Sequence, residues 1–331
     1  MNRQVVLADV PTGPVAVEHF TVVESRLPKP RRGEVLCRTL LASLDPVNRA
    51  LMRGRTYRAA LQPGDVMAAF TLSEVVGGDT LAPGTIVSCE AGWQEYASLP
   101  ADAVVPVRVL GPLTHHLSVL GLNGLTAYFG LLDIGRPREG DTVVVSAAAG
   151  ATGNVAGQLA RIHGARVVGI TGSDEKNRLL EDELGFDATA NHRSPTLARD
   201  LRALCPDRID VYFDNVGGAV LEACLPRMNP YGRIVCCGAL SQYDTDEPPP
   251  GPRAVPALVI SLRLRMEGFV VTDYADRWDD AARRLAAWVS DGSLKVLEHV
   301  VDGLDAAPAA FVDVLAGRNV GKWMVRVAEP L

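Results

Sequence analysis

Val143-Val144-Val145-Ser146-Ala147-Ala148-Ala149-Gly150-Ala151-Thr152-Gly153-Asn154 is followed by a helical pattern and then by Arg166-Val167-Val168-Gly169-Ile170-Thr171-Gly172-Ser173. The order is strand, glycine turn, helix, strand. Such a turn lets backbone N–H groups and a helix N-terminus approach a pyrophosphate, because no bulky side chain stands in the way. A turn that needs glycines only for its own shape would read the same in isolation; the strand–turn–helix–strand setting favours a dinucleotide. Val155, Ala156, Leu159, Ala160 and Ile162 give the helix an apolar face, and Gly164 closes it. An NAD site of this kind carries an acid about 20 residues on, which holds the ribose 2′-hydroxyl and repels a 2′-phosphate. Here that place holds Thr171, Gly172 and Ser173, with Lys176 one turn later. Lys176 is the candidate 2′-phosphate ligand, aided by the dipole of the helix it opens, and NADPH is the expected cofactor. Asp174 and Glu175 are read as ordinary first-turn residues.

The chain has 331 residues, room for two domains and a well-buried core. No apolar run reaches the roughly 18 residues of a membrane span. The N-terminus lacks the pattern of a signal peptide, and six scattered cysteines suit a reducing compartment, so a cytoplasmic location is expected. A net charge of −6 without a basic run argues against a nucleic-acid partner.

Residues 1–115 are rich in short Val/Leu runs broken by Pro and Gly, the texture of a β-rich, barrel-like domain. In residues 116–290 strands at 143–147, 166–170, 209–213 and 232–237 alternate with helices at 153–163, 174–184 and 218–228, which predicts a parallel α/β sheet. Asp244 to Pro256 reads as an exposed loop, and Trp278 to Val289 as a last helix. Residues 291–331 end in a strand-like Lys322 to Val327 that is expected to return to the first domain. A catalytic zinc would need three N, S or carboxylate ligands and an open position. No Cys stands near a His-Glu pair in the first domain; the adjacent His115 and His116 point apart, as do Cys236 and Cys237. No metal is expected.

Further strings fall in a fixed order along the chain. They are Ser43-Leu44-Asp45-Pro46, Asn123-Gly124-Leu125-Thr126-Ala127-Tyr128, the glycine turn, and Gly172-Ser173-Asp174-Glu175-Lys176. Phe213-Asp214-Asn215-Val216-Gly217-Gly218, Cys237-Gly238-Ala239-Leu240-Ser241-Gln242-Tyr243, Met266-Glu267-Gly268-Phe269-Val270-Val271 and Asn319-Val320-Gly321-Lys322 follow. With them the whole chain resembles the zinc-independent medium-chain dehydrogenase/reductases of the prostaglandin reductase (leukotriene 12-hydroxydehydrogenase) and alkenal double-bond reductase type. The resemblance implies a GroES-like β-barrel domain, a Rossmann-type parallel sheet domain, and a homodimer. It implies cofactor contacts at Ala149, Gly150, Thr152, Gly153, Ser173, Lys176, Asn215, Cys237, Gly238, Ser241, Tyr243, Phe269, Val270, Val271 and Asn319. It also implies a substrate pocket that includes Val47, Asn48 and Phe70.

Two departures bear on these roles. The family's Asn-Tyr-Lys is here Asn191-His192-Arg193, which leaves His192 and Arg193 to face the phosphate. Its Asp-Pro-Tyr-Met-Arg is here Asp45-Pro46-Val47-Asn48-Arg49, which widens and dries the pocket at Val47. The implied reaction is hydride transfer from NADPH to the β-carbon of an enone or enal. Charge then builds on the carbonyl oxygen, and Tyr243 and the cofactor ribose hydroxyl are the candidate donors to it. Tyr274 is the lesser candidate and reads better as a packing aromatic. An NADPH quinone reductase and a non-enzymatic NADPH-binding protein remain the alternatives.

Overall fold

The computed structural model describes residues 1–53, 59–245 and 250–331. Contacts divide the chain into two units. The first takes Met1–Leu117, a short segment that begins at Tyr243, and Glu298–Leu331; the second takes Ser118–Gln242 and the stretch that ends at Leu297.

In the first unit β1 (Asn2–Leu7) and β2 (Phe20–Ser25) form an antiparallel pair. A larger sheet is built on β3 (Glu34–Ser43), β4 (Thr71–Gly78), β5 (Ile86–Cys89), β6 (Tyr96–Pro100) and β7 (Val105–Pro106). β3 is long and apolar enough to pair with both β4 and β6. The helix α1 (Val47–Leu51) follows β3 directly and is buried along most of its length.

The second unit begins with α2 (Leu122–Phe129) and continues as a strand–helix alternation. It runs β8 (Thr142–Ser146), α3 (Ala151–Ile162), β9 (Arg166–Thr171), α4 (Asp174–Leu184), β10 (Ala188–Asn191) and α5 (Leu197–Leu204). Then come β11 (Ile209–Asp214), α6 (Gly218–Cys224), β12 (Met228–Cys236), α7 (Val255–Leu262), β13 (Arg265–Gly268) and α8 (Trp278–Ser290). The six strands are parallel and ordered β10-β9-β8-β11-β12-β13, the Rossmann order that reverses direction between β8 and β11. Val143, Val144 and Val145 are fully buried, as a strand covered on both faces requires.

The chain then returns to the first sheet as β14 (Glu298–Asp302), α9 (Ala307–Leu315) and β15 (Lys322–Arg326). β15 lies antiparallel to β3, with Val325 opposite Ala42. The first unit's core gathers Trp93, Phe20 and Phe311 around Leu7, Met67 and Val325.

Several expectations need correction. The predicted helix 218–228 stops at Cys224, and Leu225–Arg227, which includes Pro226, forms a single tight turn. β12 therefore starts early, at Met228, and Cys237 lies beyond its end. The predicted loop ends at Ala254, because Pro256 sits in the first turn of α7, where its missing N–H costs nothing; residues 246–249 of that loop lie outside the described residues. Residues 291–297 stay with the second unit. The buried Gln158 side chain of α3 holds them, donating to the Lys295 carbonyl and accepting from its N–H.

Candidate active site

Because all six strands of the second unit run the same way, their C-terminal ends form one rim, and the sequence-singled residues of that unit appear along it in sheet order. His192 and Arg193 follow β10, and Ser173 and Lys176 follow β9. Residues 147–153 follow β8, Asn215 follows β11, Cys237, Gly238 and Ser241 follow β12, and Phe269 to Val271 follow β13. From the first strand to the sixth the rim spans about 24 Å.

In the turn after β8, Ala147 adopts a left-handed φ of 48°, which costs a non-glycine residue about 1–2 kcal/mol. Its carbonyl accepts from Gly150 N–H at 2.9 Å. A Cβ on Gly153 would stand 2.3 Å from that same oxygen, so only glycine lets α3 start this close to the strand. Gly150 caps the helix through its extended backbone, and Ala149 lies buried just before it. Thr152 faces Asn123, whose amide donates to its hydroxyl at 3.3 Å. A second glycine of α3 makes room for an aromatic ring: a Cβ on Gly157 would fall 2.0 Å from Phe186, in the connection between α4 and β10.

Around the tip of β9 the parts are side chains. Thr171, in the place of the acid, is buried and donates to Asn177 Oδ1 at 2.6 Å. The Ser173 hydroxyl caps α4 by accepting from Lys176 N–H. Asp174 turns its carboxylate to the Asn191 amide, 2.9 Å away. His192 and Arg193 lie over Gly172, where a Cβ would sit 3.0 Å from His192 Nε2 and 3.5 Å from Arg193 Nε. The Lys176 ammonium is held below its ordinary value by partial burial and then by Arg193. The His192 imidazole is also pushed down, by partial burial and then by Arg193 and Lys176. Lys176, His192 and Arg193 thus gather at a tip where Thr171 replaces the acid, an arrangement suited to a phosphate dianion.

The ends of β11 and β12 interlock. Asp214, which the sequence did not single out, accepts from Tyr212 OH at 2.7 Å and from Val216 and Gly217 N–H at 3.0 and 2.8 Å. Its signal was an acid at the close of an apolar strand, just before a glycine pair. Asn215 donates its side-chain amide to Ser146 O at 2.7 Å, which fixes the side chain at the end of β8. Gly238 and Ser241 are tied to the same turn: Gly238 N–H donates to Asp214 O, and the Ser241 hydroxyl to Val216 O. Burial and Asp214 push the Cys237 thiol up to about 12 and that of Cys236 up to about 11. After β13, Phe269 packs against Gly130, while Val270 is exposed. Tyr274 stacks on Phe129, with ring centroids 4.6 Å apart.

The remaining candidates belong to the first unit. Val47 is exposed on α1, but Asn48 is buried and donates its amide to Ala68 O at 2.8 Å. Asn48 thus holds the backbone that leads to the partly buried Phe70. Asn319 donates to Gly321 O at 3.3 Å. The next residue, Lys322, is buried and bonded to Ser43 and Asp45. Tyr243 is partly buried, and Asp244 beside it pairs with the fully buried Arg49. That pair escaped the sequence reading.

Among the described residues no group of three His, Cys, Asp or Glu side chains could hold a metal ion. A catalytic zinc takes three such ligands, so the donor set among the described residues does not fit one. No described helix is long and apolar enough to cross a membrane.

Two family models match the chain, one described as the N-terminal domain of oxidoreductase over residues 3–107 and one as zinc-binding dehydrogenase over residues 151–287. The NADPH-dependent curcumin reductase of Escherichia coli (strain K12) is 40% identical, over 99% of this chain and 97% of its own. Prostaglandin reductase 1 of Mus musculus is 40% identical, over 93% of this chain and 94% of its own. The crystal structure of CurA in complex with NADPH from Vibrio vulnificus superimposes with a TM-score of 0.93 at 38% identity, covering 99% of this chain and 100% of that one.

Proposed function

The chain belongs to the zinc-independent medium-chain dehydrogenase/reductases of the prostaglandin reductase and alkenal reductase type, and on that premise we propose that it reduces the conjugated double bond of α,β-unsaturated ketones and aldehydes with NADPH. It is an NADPH-dependent oxidoreductase of the curcumin and prostaglandin reductase kind. The observation that carries the cofactor half is the cluster of Lys176, His192 and Arg193 around Gly172.

Gly150 and Gly153 admit the pyrophosphate to the start of α3, and Lys176, His192 and Arg193 take the 2′-phosphate. Asn215, one side-chain N–H of which goes to Ser146 O, keeps Oδ1 as an acceptor and its second N–H as a donor for the cofactor. Phe269 to Val271 would hold the nicotinamide end, and the likeness to relatives gives Asn319 a cofactor contact. Bound NADPH supplies the hydride, which goes to the substrate's β-carbon. As that bond forms, negative charge grows on the carbonyl oxygen, and the Tyr243 phenol donates a hydrogen bond to it. The α-carbon then takes a proton from Tyr243 or from a water that Tyr243 orients. Val47, where the family carries tyrosine, leaves room beside the enone, which supports bulky enones ahead of short enals.

The test is steady-state NADPH oxidation against a diaryl enone, a medium-chain 2-enone, a 2-enal and 1,2-naphthoquinone. The enones are expected to turn over fastest, and turnover of the quinone alone would replace this reading with quinone reduction. Tyr243→Phe is expected to lower kcat about 10–100-fold, the cofactor ribose hydroxyl softening the loss. Full activity in that variant would move the donor role elsewhere.

A further inference from the structure

Arg49 is one of the largest fully buried side chains of the protein, yet it stands on a helix of only five residues. Its Nε donates to Asp244 Oδ1 at 2.6 Å, and one terminal nitrogen donates to Gly13 O at 2.8 Å. The other terminal nitrogen is buried with no partner among the described residues. A guanidinium withdrawn from water is costly, and the cost is offset only where a carboxylate meets it in good geometry. Such a pair adds little net stability over an apolar residue of the same size, but it fixes direction, because the bond is strong only along the N–H axis. What it fixes here is the residue next to Tyr243. The Asp244 side chain is 28% exposed, so without Arg49 its carboxylate could turn to solvent at little cost.

The same helix serves two other points. Val47 projects from it into solvent, and Asn48 ties it to Ala68, two residues before Phe70. α1 therefore carries a bond to the Asp244 side chain, next to Tyr243, a bond to the backbone before Phe70, and the exposed Val47.

We propose that Arg49 and Asp244 are positioning residues that clamp the backbone of Tyr243 to α1 and so aim its phenol at the substrate carbonyl. The inference rests on the reading of Tyr243 as the donor. Neither residue touches substrate; both act through the tyrosine. A loosened clamp should thus cost turnover while leaving the cofactor contacts of the second unit alone.

The decisive variant is Asp244→Asn, which keeps size and removes charge at a partly exposed site; Arg49→Met serves as the second variant, with folding checked by thermal melts. Asp244→Asn is expected to lower kcat about tenfold and to leave the NADPH Kd within about twofold, since misaiming a reacting group costs turnover and not remote binding. In a Tyr243→Phe background the same substitution should have almost no further effect, because the two losses share one path. Wild-type kcat in Asp244→Asn, or an undiminished loss in the Tyr243→Phe background, would overturn the clamp while the tyrosine reading stands. Wild-type kcat in Tyr243→Phe alone would sink the tyrosine reading and this inference together.

Discussion

In the turn from β8 to α3 the working parts are backbone. Ala147 aims its carbonyl by a left-handed φ, Gly150 and Gly153 leave space, and no charged side chain takes part. Around the tip of β9, roughly one strand spacing away, the parts are charged side chains brought from two different turns. In the proposed reading the first region accepts any dinucleotide pyrophosphate and cannot tell NADH from NADPH. The second is proposed to tell them apart, with Lys176, His192 and Arg193 gathered at a tip where Thr171 stands in the place of the acid. Shape and charge are thus separated along the rim, so each should be breakable without the other.

The largest effect is expected from Gly153→Ala. Its Cβ would need 2.3 Å from Ala147 O, and α3 must shift to make room. A strain of about 2–4 kcal/mol should weaken NADPH and NADH alike by about 30–1000-fold. Calorimetric titration of both cofactors checks this; a loss confined to NADPH would erase the proposed division. Next comes Lys176→Ala, which should weaken NADPH about 10–100-fold and NADH little. Equal losses for both cofactors would remove Lys176 from the phosphate.

The smallest effect is a pH dependence. In the free protein the His192 imidazole is held below its ordinary value, so it is mostly neutral at neutral pH. A bound 2′-phosphate raises that value, and binding takes up a proton. NADPH affinity conferred by His192 should therefore grow as pH falls through the range between the two values and fade as pH rises above it. The ratio of Kd in His192→Gln to Kd in the wild type isolates this, because the phosphate's own titration near pH 6 is common to both proteins. The ratio should rise by up to about tenfold toward low pH, and a flat ratio would place the histidine away from the phosphate.

The same division explains what could be read from the sequence. The glycine turn, the bounds of α4 and most strands of the second unit carry their signal locally, in apolar runs and glycine spacing. β10 and β13 do not: Ala-Thr-Ala-Asn and Arg-Met-Glu-Gly have no apolar run, and they are strands because β9 and β12 offer them partners. The Arg49–Asp244 pair lies further out of reach, since 195 residues separate its members and no periodicity links them. The bond that the Asn48 amide gives to the Ala68 carbonyl is out of reach for the same reason, since its partner is a backbone atom 20 residues on.

The pairing of β15 with β3 has a consequence for how the protein is made. Ser43, at the end of β3, and Lys322, at the start of β15, are 279 residues apart. At about 5–20 residues per second on the ribosome, β3 waits roughly 15–55 s for its neighbour. All six strands of the Rossmann sheet emerge during that wait, so the second unit can fold on the nascent chain while the first cannot be completed. Until Lys322 arrives, Asp45 lacks its buried ion-pair partner and one edge of β3 stays open. Biogenesis, more than finished stability, should be where changes in the last strand are felt.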